Sequence, residues 1–185
     1  MMPEFINVSG GPTKPEALAV SLFKLNAKAG DVFADVGCGT GLVSIELSKI
    51  VPDLKIIAID AREEAINATT QNFKSFNIKN SQIILGESSS VINNLEKIDC
   101  AFVGGTKNIT EVLNSLFKCK ARSIVVNAVR IETVVCVINH MKKLGIYDET
   151  VLLSASRGYD LMGETMFKPE NPVFIICGSR KEKEV

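Results

Sequence analysis

The chain has 185 residues, 46% of them hydrophobic, which is the size and composition of one globular domain with its own core. Its 21 Lys and Arg residues balance its 21 Asp and Glu residues, so the formal net charge is zero. This balance argues against a protein held to nucleic acid mainly by neutralising phosphates, although a local basic patch could exist within a neutral total, and we expect no nucleic-acid partner. No apolar run reaches about 18 residues, the length that a transmembrane helix needs, so we expect no membrane association.

Five cysteines are scattered along the chain, and none forms a C-x-x-C pair. The single histidine, His140, cannot complete a zinc site with them, so we expect no metal centre. An odd number of scattered thiols without a signal peptide is typical of a reducing compartment. These features predict a cytoplasmic protein.

The N-terminal stretch "SGGPTKPE", residues 9–16, predicts the entry to a helix over 14–26. Thr13 and Glu16 have the spacing of a capping box, with Thr13 as the N-cap and Glu16 three residues later. Proline is tolerated in the first turn of a helix. Residues 1–30 are thus predicted to form a lead-in and one helix of a single domain that spans 1–185.

Five units of strand followed by helix come next, over residues 31–145. The strands are short and almost continuously apolar, which is typical of parallel strands buried on both faces. They are predicted at 31–37, 55–60, 81–86, 100–105 and 122–129. The helices are predicted at 41–50, 62–76, 88–97, 108–117 and 131–144. This alternation predicts an α/β fold built from right-handed βαβ units.

The pattern changes over residues 146–180. Two strand-like runs, "DETVLLSAS" at 148–156 and "PVFIICGS" at 172–179, lack a helix between them. We expect them to form an antiparallel pair at the edge of the sheet. The intervening "RGYDLMGETMFKPEN" is predicted to be a loop.

A glycine-rich loop, "DVGCGTG", follows the first strand and places Gly37, Gly39 and Gly41 before a helix. Glycines there allow a tight turn and a close approach of the backbone to a ligand, and the helix N-terminus offers free N–H groups. The dinucleotide fingerprint G-x-G-x-x-G would need a third glycine at position 42, which is Leu42. The G-x-G-x-G spacing therefore disfavours an NAD-dependent oxidoreductase.

An acid ends the second strand. The carboxylate of Asp60 can accept both hydroxyls of a ribose, a feature that NAD enzymes share. Together with the glycine spacing, it favours S-adenosylmethionine as the cofactor. After the third strand, Glu87 and Ser88 lie where an adenine could be bound. The alternative for Ser88 is a plain N-cap of the next helix.

These fragments together resemble class I S-adenosylmethionine-dependent methyltransferases, and within them the decarboxylating cobalt-precorrin-6B C15-methyltransferases of anaerobic cobalamin synthesis. The resemblance rests on seven fragments, "GGPTKPE", "DVGCGTG", "AIDAREEAI", "AFVGG", "RIET", "SRG" and "NPV". It implies a Rossmann-like, doubly wound seven-stranded sheet, mostly parallel, with the last strand antiparallel between the fifth and the sixth. It implies a homotetramer as well.

The resemblance also implies the cofactor contacts. Thr13 matches the lead-in threonine, residues 37–41 (Gly37, Cys38, Gly39, Thr40 and Gly41) match the loop, and Asp60 matches the ribose acceptor. Relatives often have a G-D pair followed by alanine where this chain has Gly86, Glu87 and Ser88. Contact at that point is therefore expected through the backbone.

The reaction implied by the resemblance is methyl transfer to C15 of the corrin-type ring, with loss of CO2 from the C12 acetate arm. The tetrapyrrole substrate is rich in carboxylates, so guanidinium groups are expected near it. Arg130 follows the fifth strand, and Arg157 follows the sixth. Glu132 is a weaker candidate, because an acid in the first turn of a helix is favoured by the dipole alone. Both arginines have the alternative of being ordinary surface charges.

Other functions stay open from the sequence. The same cofactor site would serve a methyltransferase acting on RNA or on a small metabolite, or a non-catalytic module that binds S-adenosylmethionine. Gly104 and Gly105 replace the N-P-P-Y-like motif of amino-group methyltransferases, which leaves room for a bulky planar acceptor. The chain is too short for a second methyltransferase domain, so methylation at C5 is expected from a separate protein.

Overall fold

The computed structural model describes residues 5–9, 11–105 and 107–180. Gly10 of the predicted lead-in and the C-terminal residues 181–185 lie outside the described residues. The first helix, α1, spans Pro15–Leu25 and packs against three strands of the central sheet. No helix of the described part has the length and apolarity needed to cross a bilayer.

The five strand-helix units are confirmed. The strands β1 to β5 span Val32–Val36, Lys55–Asp60, Ser81–Leu85, Cys100–Val103 and Ser123–Ala128. The helices α2 to α6 span Leu42–Ile50, Glu63–Ser75, Ser88–Asn93, Ile109–Lys118 and Ile131–Lys143. The prediction of α4 over 88–97 was too long, because the helix ends at the cap Asn94, whose side chain donates back to the Ser90 carbonyl.

Within residues 144–180, four strands follow α6, and not the two that were predicted. They are β6 (Tyr147–Leu153), β7 (Ser156–Leu161), β8 (Glu164–Pro169) and β9 (Val173–Ser179). The predicted loop at 157–171 is wrong, since β7 and β8 form an antiparallel hairpin over most of it. Its two-residue turn, Met162 and Gly163, has positive φ at both positions, as tight hairpin turns require. Every residue of both strands is exposed, so the hairpin lacks the alternation of buried and polar residues that signals a strand.

The main sheet has seven strands in the order β3-β2-β1-β4-β5-β9-β6. The pairs among β1 to β5 are parallel, and β9 is antiparallel to both of its neighbours. The doubly wound sheet with an antiparallel last strand between the fifth and the sixth is confirmed, and β9 and β6 form the expected antiparallel pair at one edge of the sheet. The strand order reverses between β1 and β4, where α/β sheets bind ligands at the carboxyl ends of the strands.

Apolar side chains cover both faces of the sheet. One cluster, with Phe33 and Phe102, lies under α1 and α2, and the other, with Val126 and Leu113, lies under α5 and α6. All four side chains are buried, which holds the carboxyl ends of the strands rigid.

The start of α1 differs from the prediction of a capping box. The N-cap is Lys14, which makes no side-chain cap bond, and Pro15 is the first helical residue. The Glu16 carboxylate accepts a hydrogen bond from Arg157, 2.7 Å away, so its partner is the hairpin and not the backbone of Thr13. The tertiary ion pair thus replaces the local cap.

Candidate active site

Two adjoining cavities open at the carboxyl edge of the sheet. The smaller has a volume of about 240 Å³ and lies between the glycine loop and the lead-in. The larger, of about 770 Å³, lies between the lead-in, the start of α6 and the base of the β7–β8 hairpin. Five residues line both cavities: Gly11, Pro12, Thr13, Phe102 and Gly104. A ligand in one cavity is therefore within reach of a ligand in the other.

The glycine loop is held against the loop that follows β4. A Cβ on Gly37 would lie 2.5 Å from the backbone nitrogen of Gly105, and its φ of 75° is in the left-handed region. Gly37 is thus required by close packing, whereas a Cβ on Gly105 would lie 3.2 Å from the Gly37 Cα. Of Gly104 and Gly105, only Gly104 lines the cavities. Gly41 is the N-cap of α2, where a Cβ would meet the ring of Phe73 at 2.6 Å.

Five of the predicted cofactor residues lie together around the smaller cavity: Thr13, Gly37, Cys38, Gly39 and Thr40. The Cys38 thiol is buried and 3.4 Å from the Thr69 hydroxyl. Burial is the main cause that raises its pKa to about 12, so it is a neutral packing group.

The predicted ribose acceptor, Asp60, is almost fully buried beside this cavity and is screened from it by Arg62. Its Oδ1 accepts from the Arg62 backbone N–H (3.0 Å) and Nε (3.1 Å). Its Oδ2 accepts from the Gly39 N–H (3.1 Å) and Arg62 Nη2 (3.2 Å). Arg62 Nη1 also donates to the carbonyl of Ser9 in the lead-in. The hydrogen bond to Asp60 is the main cause that raises the pKa of Arg62.

A second buried acid, Asp35, is the penultimate residue of β1 and lines the smaller cavity. The Ser44 hydroxyl donates to its Oδ2 at 2.6 Å, but its Oδ1 is buried without a hydrogen-bond partner among the described residues. Burial raises the pKa of Asp35 to about 6, against the opposing effect of the Ser44 bonds. An orphaned buried carboxylate oxygen at a cavity wall fits a cationic ligand group.

The segment after β3 has a structural role in this structure. Glu87, and not Ser88, is the N-cap of α4, and its Oε2 accepts from the Ser90 N–H (2.8 Å) and the Ser89 hydroxyl (2.7 Å). These bonds, the Ser89 hydroxyl first, lower the pKa of Glu87 to about 2. Neither Glu87 nor Ser88 is among the residues that line the smaller cavity.

Both predicted arginines line the larger cavity. Arg130 is the exposed N-cap residue of α6, while Arg157 on β7 pairs with Glu16 and Glu170. Glu132 is exposed in the first turn of α6 and is not among the cavity-lining residues. The structure thus brings the two arginines together and leaves the glutamate aside.

Sequence reasoning missed Arg62 and Lys168, and it left Asp35 without a role. A basic residue two positions after Asp60, the predicted ribose acceptor, was the available signal for Arg62. A lone acid near the end of an apolar strand was the signal for Asp35, because such a residue is buried. Lys168 had no signal, since its place on a hairpin was itself unexpected.

The fold and the site define a class. A seven-stranded sheet with an inserted antiparallel last strand, a glycine loop after β1 and an acid ending β2 are the features of class I methyltransferases. Residues 5–179 match the family model described as the precorrin methyltransferase domain. The chain belongs to the precorrin methyltransferase family.

Named relatives cover nearly the whole chain. A probable cobalt-precorrin-6B C(15)-methyltransferase (decarboxylating) from Methanosarcina acetivorans is 60% identical over 183 residues, which are 97% of this chain and 100% of that one. A protein of the same name from Methanocaldococcus jannaschii is 40% identical, over 96% of each chain.

Solved structures agree with this placement. A precorrin 8W decarboxylase from Methanobacterium thermoautotrophicum has a TM-score of 0.87 and 30% identity, and the match covers 97% of this chain and 100% of that one. A precorrin-6y C5,15-methyltransferase from Geobacter metallireducens has a TM-score of 0.88 and 26% identity over 95% of each chain. The fold and the family assignment are therefore consistent.

Proposed function

We propose that this protein methylates C15 of cobalt-precorrin-6B and decarboxylates its C12 acetate arm, giving cobalt-precorrin-7 in cobalamin biosynthesis. The observation that carries the proposal is the common wall of the two cavities, which puts a small ligand beside a large one. The names and the full-length similarity of the relatives support the choice of substrate.

The smaller cavity suits S-adenosylmethionine, which when bound supplies an electrophilic methyl group on a sulfonium. The unpartnered Oδ1 of Asp35 would accept from the amino acid ammonium of the cofactor. Asp60 would hold the ribose once Arg62 gives up its two side-chain bonds. Thr13 and the glycine loop would close over the remainder, as the cofactor contacts predicted from the sequence require.

The larger cavity suits a flat macrocycle with acidic arms. Its floor includes the apolar side chains of Ala17, Phe102 and Ala128, and its rim carries several cations. Holding the ring carbon in line with the methyl group would lower the barrier by several kcal/mol through orientation. A bond then forms between C15 and the methyl carbon as the methyl–sulfur bond breaks. The C12 arm loses CO2, and a proton takes its place on the carbon.

We further infer a homo-oligomer in the cytoplasm, with a tetramer as the family resemblance implies. The exposed hairpin supports this, because Met162 is 98% and Phe167 is 68% exposed at its tip and on its strand. A two-stranded hairpin exposed on both faces is marginal by itself and gains stability from a second copy.

Incubation with cobalt-precorrin-6B and methyl-labelled S-adenosylmethionine tests the proposal. The expected product contains one labelled methyl group and has lost one CO2, both read by mass spectrometry. An Asp35→Ala variant should give neither change. Labelled product that keeps all carboxylates would overturn the decarboxylase assignment, and no product beside an active relative in the same assay would overturn the whole proposal.

A further inference from the structure

The rim of the larger cavity carries four cationic side chains: Lys14, Arg130, Arg157 and Lys168. Two of them lie directly opposite each other, because Arg157 on β7 is paired with Lys168 on β8 in the hairpin ladder. Like charges at directly opposed positions destabilise a strand pair. The pairing therefore needs counter-charges, and the only acid that lines this cavity among the described residues is Glu170.

One of the two opposed cations, Arg157, already forms ion pairs with acids of the protein itself. Arg157 Nη2 lies 2.7 Å from Glu16 Oε2 on α1, and its Nε donates to Glu170 just after β8. Lys14 adds a longer contact, 3.7 Å, to the other oxygen of Glu170. These bonds tie the base of the hairpin to the start of α1, so Arg157 already forms ion pairs with two acids of the protein.

The other two cations have no such partner. Within residues 5–9, 11–105 and 107–180, neither Arg130 nor Lys168 forms an ion pair, and both are exposed at the cavity. Arg130 stands on the wall made by the start of α6, and Lys168 stands on the wall made by the hairpin. They are two cations on different walls of one cavity.

We propose that Arg130 and Lys168 bind two separate carboxylate arms of the substrate, and that Arg157 is a positioning residue which fixes the hairpin wall. The assignment rests on the proposed function for the identity of the ring, but its chemistry requires only a polycarboxylate ligand. Two cations on different walls select a ligand whose carboxylates project in different directions from a rigid frame. Arg130 can hold a carboxylate with two parallel N–H bonds, whereas Lys168 acts as a point charge.

Steady-state kinetics with cobalt-precorrin-6B test the pair. Arg130→Gln and Lys168→Gln should each raise KM about tenfold or more and leave kcat within about twofold, because each loses a charge-assisted bond away from the reacting carbons. Lys168→Arg should keep the affinity. Lys55→Gln is the matched control, since Lys55 is exposed at the opposite end of the sheet, at the start of β2.

Binding of two corrins separates this assignment from the proposed function. Cobyrinic acid carries carboxylate arms, and cobinamide presents a similar ring with amidated arms. The wild-type protein should bind cobyrinic acid more tightly, and the two Gln variants should lose most of that preference. If both variants keep the preference and the wild-type KM, the pair is refuted even when the enzyme is active. A wild-type protein that binds cobyrinic acid but does not methylate cobalt-precorrin-6B would refute the function and leave the pair standing.

Arg157→Gln gives a different signature if its role is positioning. It should lower the thermal stability and kcat together, because the hairpin wall and the start of α1 separate. The Gln variants of Arg130 and Lys168 should melt no lower than the wild type, since both side chains are exposed and Lys168→Gln removes a like charge opposite Arg157. An Arg157 variant that only raises KM, with unchanged kcat and melting temperature, would instead make Arg157 a direct ligand.

Discussion

The guanidinium of Arg62 holds both carboxylate oxygens of Asp60, with Nε 3.1 Å from Oδ1 and Nη2 3.2 Å from Oδ2. Two backbone N–H groups, of Arg62 and Gly39, donate to the same two oxygens. A carboxylate has about four lone-pair sites, so Asp60 is saturated. Two ribose hydroxyls can bind only in exchange for the two side-chain bonds of Arg62, because the backbone bonds are fixed by the fold.

Arg62→Met should therefore tighten the binding of S-adenosylhomocysteine, by about fivefold. The gain corresponds to the roughly 1 kcal/mol of a partly exposed ion pair that no longer has to be broken. Isothermal titration calorimetry at pH 7.5 measures the change. Lys74→Met, at the other end of α3, removes the same charge and should have no effect. Weaker binding in the Arg62 variant would mean that the guanidinium contacts the cofactor directly.

Asp35 predicts a pH dependence of cofactor binding. Its pKa is about 6 in the folded protein, mainly because burial disfavours the charge, and the ammonium of the ligand requires the ionised form. The affinity for S-adenosylhomocysteine should thus be full above about pH 7 and fall about tenfold by pH 5. Asp35→Asn should bind weakly at every pH. Asp53→Asn is the control, because Asp53 is exposed, and this variant should keep the pH dependence of the wild type. If the affinity of the wild-type protein did not change with pH, the role of Asp35 would be contradicted.

The same group predicts an effect on stability with the opposite sign. Asp35 has a raised pKa in the folded state, so its charge destabilises the fold above the folded pKa, and this cost disappears as the pH falls toward 4. Asp35→Asn should therefore stabilise the cofactor-free protein at pH 8, by up to roughly 3 kcal/mol, and not at pH 4. Thermal unfolding at the two pH values measures the difference. Equal gains at both values would show that packing, and not charge, is responsible.

The units of β1, β2, β4 and β5 could be predicted because these strands are largely buried, and burial leaves an apolar run in the sequence. The edge strand β3 is only partly buried, but its sequence SQIIL still ends in an apolar run. The β7–β8 hairpin could not, because its strands form a separate two-stranded sheet and every residue in them is exposed. The prediction of a helix cap at Thr13 was wrong for a related reason. Glu16 has the right spacing for a local capping box, but a guanidinium 141 positions along the chain takes its carboxylate.

The parts of the candidate site that form sequence motifs of fixed spacing could be predicted. The glycine loop and Thr13 line the smaller cavity together, as their motifs indicated. Arg62 could not be assigned, because its role depends on saturating a neighbouring carboxylate, which is a matter of geometry. The four cations at the larger cavity could not be ranked either, since only the positions of Glu16 and Glu170 show which of them is already paired.

Gly37→Ala should destabilise the protein by roughly 3 kcal/mol or more and abolish cofactor binding. A left-handed φ costs a non-glycine residue about 1 kcal/mol, and the new methyl group would overlap the backbone of Gly105. Gly145→Ala is the matched control, because Gly145 has a similar φ of 70° and open space around its Cβ position. Gly145→Ala should reduce the free energy of unfolding only by the cost of a left-handed φ at a non-glycine residue, about 1 kcal/mol. Denaturant unfolding compares the two, and equal losses would show that the contact with Gly105 yields easily.

The β7–β8 hairpin predicts where copies of the chain meet. Phe167→Asp combined with Met162→Ser should dissociate the assembly into smaller species, because a buried charge replaces an exposed ring on the surface that a second copy would cover. Sedimentation velocity at a fixed protein concentration measures the state. Phe23→Asp is the control, since Phe23 is 80% exposed on α1, outside the hairpin. Dissociation by the Phe23 variant alone would move the interface to α1, and a wild-type protein that sediments as a monomer would refute the oligomer itself.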